Sequence, residues 1–129
     1  MTNIDQIRAA HALSACSHER LKRSAISSLP CLIINNGLLA TVAYVKCEGG
    51  GANRPHQVKA MESLADHLKN QGITNQQTNT LSIFANDLAN NSPVNLQRAT
   101  AEALAYFSFL KRFADMNADD NAVQAPIPD

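Results

Sequence analysis

Along the chain, apolar positions recur at helical spacing in five separated stretches, with no sustained strand-like alternation. The first stretch, residues 4–26, places Ile4, Ile7, His11, Ser14, His18 and Leu21 on one broad stripe and ends in Arg20, Lys22 and Arg23, suited to a helix C-terminus. Ser28-Leu29-Pro30 then reads as a new start, with Ser28 near the N-cap and Pro30 in the first turn. The second helix, about 30–46, has Leu32, Ile33, Ile34, Leu38, Leu39, Val42 and Val45 on every side, the signature of an element surrounded by neighbours. Gly37 inside it is expected where another backbone comes close, and Asn35 and Asn36 as satisfied buried amides or helix-face groups rather than ligand contacts.

Gly49-Gly50-Gly51 marks a break, and Pro55 precedes an amphipathic third helix over about 56–70 with Val58, Met61, Leu64, Ala65 and Leu68 on one face. Residues 70–79 read as a polar loop. A short fourth helix over about 78–90 carries Leu81, Phe84 and Leu88, and Ser92-Pro93 begins the next element. The last helix, about 95–116, has a core stripe of Ala99, Ala103, Tyr106, Phe107, Leu110, Phe113 and Ala114. Its opposite side holds Ala101, Ala105 and Ser108 between Arg98 and Arg112, fewer charges than a solvent face normally carries. That side reads as a contact surface for a protein or a phosphate backbone, or alternatively as an exposed helix rich in a good helix former. The fold expected is an all-α, single-domain bundle of about five helices around a central apolar helix, spanning 1–116, with an acidic, disordered tail over 117–129.

Composition sharpens this picture in three places. With 129 residues, 45% of them hydrophobic, the chain has enough material for one self-sufficient core. Its formal net charge is zero, yet Asp115, Asp119, Asp120 and Asp129 face no later base, so residues 1–114 carry eleven basic against seven acidic side chains, a net of +4. A mildly basic body is compatible with an anionic partner but is far from a stand-alone nucleic-acid binder. Cys16, Cys31 and Cys47 form no C-x-x-C pair, which suggests reduced thiols acting as small hydrophobes in a cytoplasmic protein. The first eight residues hold Asp5 and no apolar run, so no secretory leader is expected. The uncharged run 24–45 contains Pro30, Asn35, Asn36 and Gly37 and makes a poor membrane span.

Most catalytic chemistry fails on spacing. The glycine triplet lacks a following Lys-Ser/Thr, no G-x-S-x-G elbow occurs, and Glu62 and Glu102 are followed three residues later by alanine rather than the histidine of a carboxylate-bridged metal bundle. His56 and His67 share a helix face three turns apart, and Cys16 points away from His11 and His18. Each histidine is better read as a surface or core residue than as a ligand, and Glu62 with Asp66 as a solvated pair. An enzyme built from His11, His18, Cys47 or the acids has no motif to support it. No cofactor or metal is expected.

Two stretches carry more. The run from Leu29 through Pro30, Asn36-Gly37-Leu38, Thr41 and Tyr44 to Lys46 has a Pro entering a helix, an Asn-Gly-Leu centre, and Thr and an aromatic before Lys. The run Arg98-Ala99-Thr100-Ala101-Glu102-Ala103-Leu104, closed by Lys111-Arg112-Phe113-Ala114, is an Arg-x-Thr-x-Glu-Ala-Leu motif followed by Lys-Arg-Phe-Ala. Together they resemble the small all-helical subunit of the Cmr complex, the type III-B CRISPR RNA-guided effector of antiviral defence. Gln97 stands where that family often has an aromatic or basic residue, and Phe109 where Trp is common.

The resemblance implies a non-catalytic subunit stacked in several copies along an inner filament, beside backbone and large subunits and near the guide and target RNA. RNA cleavage and nucleotide cyclisation belong to other subunits of such complexes. Candidate RNA-binding residues are Arg98, Lys111 and Arg112 on the last helix, Lys46 at the end of the second, and Arg20, Lys22 and Arg23 on the first. Ala101, Ala105 and Ser108 are candidate interface residues. Lys111 and Arg112 point about 100° apart on a helix, so they do not share one contact. Arg98 could instead pair with Glu102 one turn on. The rival reading is a protein-only helical adaptor that never meets RNA.

Overall fold

The computed structural model describes residues 3–18, 21–48, 54–74 and 80–124. Among them the chain forms α1 (Ile4–His18), α2 (Arg23–Ser27), α3 (Leu29–Asn36), α4 (Leu38–Glu48), α5 (Arg54–Asn70), α6 (Leu81–Asn90) and α7 (Pro93–Gln124), with no strand. The all-α class stands, and the element boundaries shift for identifiable reasons.

The start of α1 is a reciprocal cap, in which Asn3 Oδ1 accepts from the Gln6 N–H and Gln6 Oε1 from the Asn3 N–H, both at 2.9 Å. The stretch expected as one helix over 4–26 is two. Lys22 is extended (φ −82°, ψ 122°) and its N–H donates to His56 Nδ1 at 3.2 Å, which reorients the chain so that Ala25 and Ile26 of α2 face the core.

The second expected helix also divides, at Gly37. Its φ of 89° and ψ of 161° lie in a region essentially reserved for glycine, its N–H closes α3 on the Ile33 carbonyl, and its own carbonyl accepts from the Thr41 N–H and hydroxyl of α4. Nothing lies within 4 Å of where a Cβ would sit, so the close backbone approach expected at Gly37 is absent; the residue is needed for its dihedral angles. Gly37→Ala is therefore expected to cost about 1–3 kcal/mol from backbone strain despite open space, read as a lowered urea midpoint. An unchanged midpoint would show that the break tolerates an ordinary residue.

This break overturns the expectation of a central helix over 30–46. An apolar residue on every side of one helix becomes one buried face on each of two: Leu29 and Ile33 on α3, then Leu38, Val42 and Val45 on α4. Ile34 is left 70% exposed, and Asn35 and Asn36 are exposed too. The element wrapped by neighbours is α7, which packs against α1, α2, α3, α4 and α5. Its buried stripe of Ala99, Ala103, Tyr106, Phe107, Leu110 and Ala114 matches the expected one, with Phe113 half-buried at its edge.

α5 buries Met61, Leu64, Ala65 and Leu68 as its spacing predicts, together with Gln57 and His67. It closes with a Schellman motif: Gly72 (φ 74°) donates to the Lys69 carbonyl, Ile73 donates to that of Leu68, and Ile73 folds back into the core. Thr80 caps α6 by accepting from the Ile83 N–H, and Ser92 does the same for α7 through Asn95, with Pro93 in the first helical position. At 32 residues α7 is about 48 Å long and runs to Gln124, beyond the boundary expected near 116.

Candidate nucleic-acid and partner interface

α7 presents its core stripe and its polar stripe on different sides because the two sets of residues fall in separate arcs at about 100° per residue. Arg98 and Arg112 are 14 positions apart, which places them within about 40° of one line and about 21 Å from each other along the axis. Ala101 and Ser108 between them are exposed, Ala105 is half-exposed, and Val94, 64% exposed, extends the same face toward the helix start. Arg98 and Arg112 are both exposed, while Lys111 is half-buried on a neighbouring face.

Arg98 does not pair with Glu102. Its guanidinium donates to Asn95 Oδ1 at 3.1 Å, and Asn95 is itself tied to Asn91, so the α6–α7 corner steers this arginine. Glu102 lies at the border of the core stripe and is occupied elsewhere, as described below.

The remaining basic residues gather at the N-terminal end of α5. There the Arg54 guanidinium donates to the carbonyl of Lys46, and His56 accepts from the N–H of Lys22. Lys46, Lys22 and Arg23 are exposed; Arg20 lies outside the described residues. Arg54 and His56 were not among the sequence candidates. The signal available was their place in the first turn of α5, directly after the glycine break. The described candidate residues, with Arg54 and His56, thus form two groups, one on α7 and one where α2, α4 and α5 meet.

A second feature escaped the sequence entirely. Arg8 of α1 clasps Glu102 of α7 with two parallel hydrogen bonds of 2.7 Å, Nε to Oε2 and a terminal nitrogen to Oε1, and reaches Asp5 at 2.8 Å. Glu102 Oε2 also faces His67 Nε2 of α5 at 2.7 Å, and His67 Nδ1 faces His11 Nδ1 of α1 at 2.6 Å. His67 is stacked on Tyr106 with ring centroids 4.7 Å apart, and the Tyr106 hydroxyl donates to Ser63 Oγ at 3.1 Å.

Burial alone would push the Glu102 carboxyl up, but the hydrogen bonds and charges of Arg8 and His67 outweigh it and hold it below the usual range. For His67 burial dominates and holds the imidazole below its usual value against the pull of Glu102, with His11 and Arg8 adding to the lowering. Burial likewise pushes the Tyr106 phenol up to about 12 and the Cys16 thiol up to about 11. Cys16 is an inert buried thiol; Cys31 is exposed, contrary to its expected use as a small core residue. The side chains of His18 and Cys47 lie outside the described residues.

His11, His67, Ser63 and Tyr106 line a cavity of about 500 Å³, open to solvent, together with Lys59, Glu62, Asp66 and Asn70. Glu62, expected as solvated charge, is half-buried and pairs with Lys59 at 3.8 Å, while Asp66 is exposed. Among the described residues no three His, Cys, Asp or Glu side chains are arranged to hold a metal ion, and no helix is long and apolar enough to cross a membrane.

The class these features define is a small all-helical module with an exposed, arginine-bordered face on its longest helix. The family model described as "CRISPR-associated protein (Cas_Cmr5)" matches residues 4–117, and the chain belongs to that family. It is thereby a small subunit of the type III-B CRISPR Cmr kind. Among solved structures it is similar to a CRISPR-associated Cmr5 family protein from Thermus thermophilus, with 22% identity, a TM-score of 0.68, and coverage of 90% of this chain and 97% of that one. That likeness shows the fold. No curated protein matches the sequence.

Proposed function

We propose that the chain is a non-catalytic inner-filament subunit of a type III-B CRISPR effector, present in several copies and laid against the guide–target RNA duplex, beside the backbone and large subunits. The observation that carries this reading is the α7 face, where exposed Arg98 and Arg112 flank small Ala101, Ala105 and Ser108. Small side chains let a phosphate backbone approach the helix, and the two guanidiniums are placed to grip it at separated points. A duplex held by shape and phosphates needs a rigid surface with scattered cations and no base-reading groups. Lys111, Lys46, Lys22, Arg23 and Arg20 are further contacts in this reading, and Arg54 joins them through its place beside Lys46.

The modest charge of one protomer suffices because contacts repeated along a filament reinforce one another by linkage. Its acidic stretch over 117–129 is repelled by phosphate, which leaves the body over 1–116 as the RNA-facing part. Catalysis falls to other subunits, and the site of action is the cytoplasm, in defence against invading nucleic acid.

Val94 favours a second reading, since an exposed aliphatic side chain continuous with Ala101 and Ala105 also suits a partner helix. In that adaptor reading the face docks protein alone. The two separate by target-RNA binding of the assembled complex across a salt series, with wild type and Arg98→Glu/Arg112→Glu compared. A phosphate contact gives affinity that falls with salt and depends on the arginines; equal salt slopes for both would favour the adaptor.

A further inference from the structure

Helix α1 is held unlike its neighbours. None of the largest fully buried side chains comes from it; what it buries completely or nearly so is Ala12 and Cys16. Small side chains remove little apolar area from water, so α1 gains less from the core than α3, α5, α6 or α7 do. Its specific attachments are polar: Arg8 to Glu102, and His11 to His67.

With His67 neutral, as its burial favours, the protons in this chain of groups follow from valence. Ionised Glu102 only accepts, so His67 donates from Nε2. A neutral His67 then has a lone pair at Nδ1, and His11 must donate its Nδ1–H across the 2.6 Å gap. That gap has room for one proton. A second, on His67 Nδ1 while His11 keeps its own Nδ1–H, would set two N–H groups against each other and put a positive imidazolium beside Arg8.

We propose that Arg8, Glu102, His67 and His11 form an acid-released latch on α1, closed by the single proton between the two imidazoles and opened when a second enters the gap. The titratable and charged groups around the pair are Arg8 from α1, with Asp5 bonded to it and Cys16 near Tyr106, Lys59, Glu62 and Asp66 from α5, and Glu102 and Tyr106 from α7. Of these only Glu102 accepts directly from the imidazoles, and Arg8 already occupies both its oxygens. The adjoining cavity admits water, so protons reach the pair without prior unfolding. Opening α1 uncovers the side of α7 between Glu102, which holds Arg8, and Leu110, whose carbonyl lies against Cys16.

The direction with pH follows from burial. His67 is held below its ordinary value in the folded chain by burial, with His11 and Arg8 of α1 adding to the lowering, so the departure of α1 raises it. Docking is therefore complete above the value His67 takes with α1 away and is lost as pH falls below it toward the lowered folded value.

Hydrogen exchange of the full chain at pH 7.5 and pH 5.0, corrected for intrinsic rates, tests the latch. Amides of α1 are expected to open about tenfold or more further at pH 5.0, while those of α5 and α6 change little. In His11→Gln the amide can donate to a neutral His67 and accept from a protonated one, so docking at pH 7.5 is kept and the acid-dependent opening disappears. Equal protection of α1 at both pH values, an equal loss in all helices, or undiminished opening in His11→Gln would overturn the proposal. Should that variant not fold, the imidazole nitrogen spectrum of the wild type decides: an unprotonated His67 Nδ1 at pH 7.5 that gains its proton as α1 opens supports the latch. A His67 Nδ1 protonated while α1 is docked overturns it.

Discussion

Glu102→Ala is expected to destabilise the protein by about 3 kcal/mol, the low end for breaking a buried ion pair because Arg8 keeps some contact with water. Glu102 joins α1, α5 and α7 at a single point, through Arg8 and His67. Its removal strands a guanidinium whose side chain is 19% exposed and a histidine whose side chain is fully buried. For a domain of this size the loss corresponds to a fall in melting temperature of about 10 °C. Glu102→Gln keeps one acceptor and the shape of the side chain, so its loss should be smaller. The wild type should also lose stability in acid as Glu102 takes up a proton, since its carboxyl is held below the usual range in the fold; above that range the contribution is complete. Glu102→Ala should lack this acid-dependent component. Thermal melts of the three proteins at neutral pH check the order, and equal midpoints would mean that the cluster adds nothing to stability.

The second large effect concerns the α7 face. Arg98→Glu/Arg112→Glu should leave the isolated chain folded, because both side chains are exposed and Arg98 meets only Asn95 among the described side-chain contacts. Within an assembled complex, two phosphate contacts per copy would vanish, and two repelling charges would replace them. The slope of log affinity against log salt should then fall by about two for each copy that touches RNA, with weakened binding for all target sequences alike. A variant that assembles and binds RNA with unchanged affinity would remove both arginines from the interface.

How the sequence and the structure correspond depends on the element. Helices α5 and α6 and the buried stripe of α7 were legible because each has one apolar face, with Ser92-Pro93 marking the start of α7; the Thr80 cap, which starts α6 at Leu81 rather than near 78, was not. The break at Gly37 was not. A helical wheel assumes continuity, so one interrupted segment with two differently directed faces looks like a single helix apolar all round. Lys22 misleads in the same way, since nothing local requires its extended conformation; its partner His56 is 34 residues distant.

The candidate face was half legible. Exposure of Arg98, Ala101, Ser108 and Arg112 follows from their angular separation from Ala99, Ala103 and Leu110. The polar cluster could not be read that way. Arg8 and Glu102 are 94 residues apart, and His11 and His67 are 56 apart, so no periodicity links them. A one-turn pairing of Arg98 with Glu102 is the local guess, and it loses to the two-bond clasp from α1 because the latter lies in a less solvated place, where charge-assisted hydrogen bonds are stronger.

What the chain assembles with decides most directly whether it is an effector subunit. Native mass spectrometry of particles recovered with a tagged copy from the organism that makes it should reveal one large complex containing several copies of this chain and a short RNA of defined length. Recovery of the chain alone, or with one protein and no RNA, would contradict the effector-subunit reading and leave α7 as a surface for protein alone.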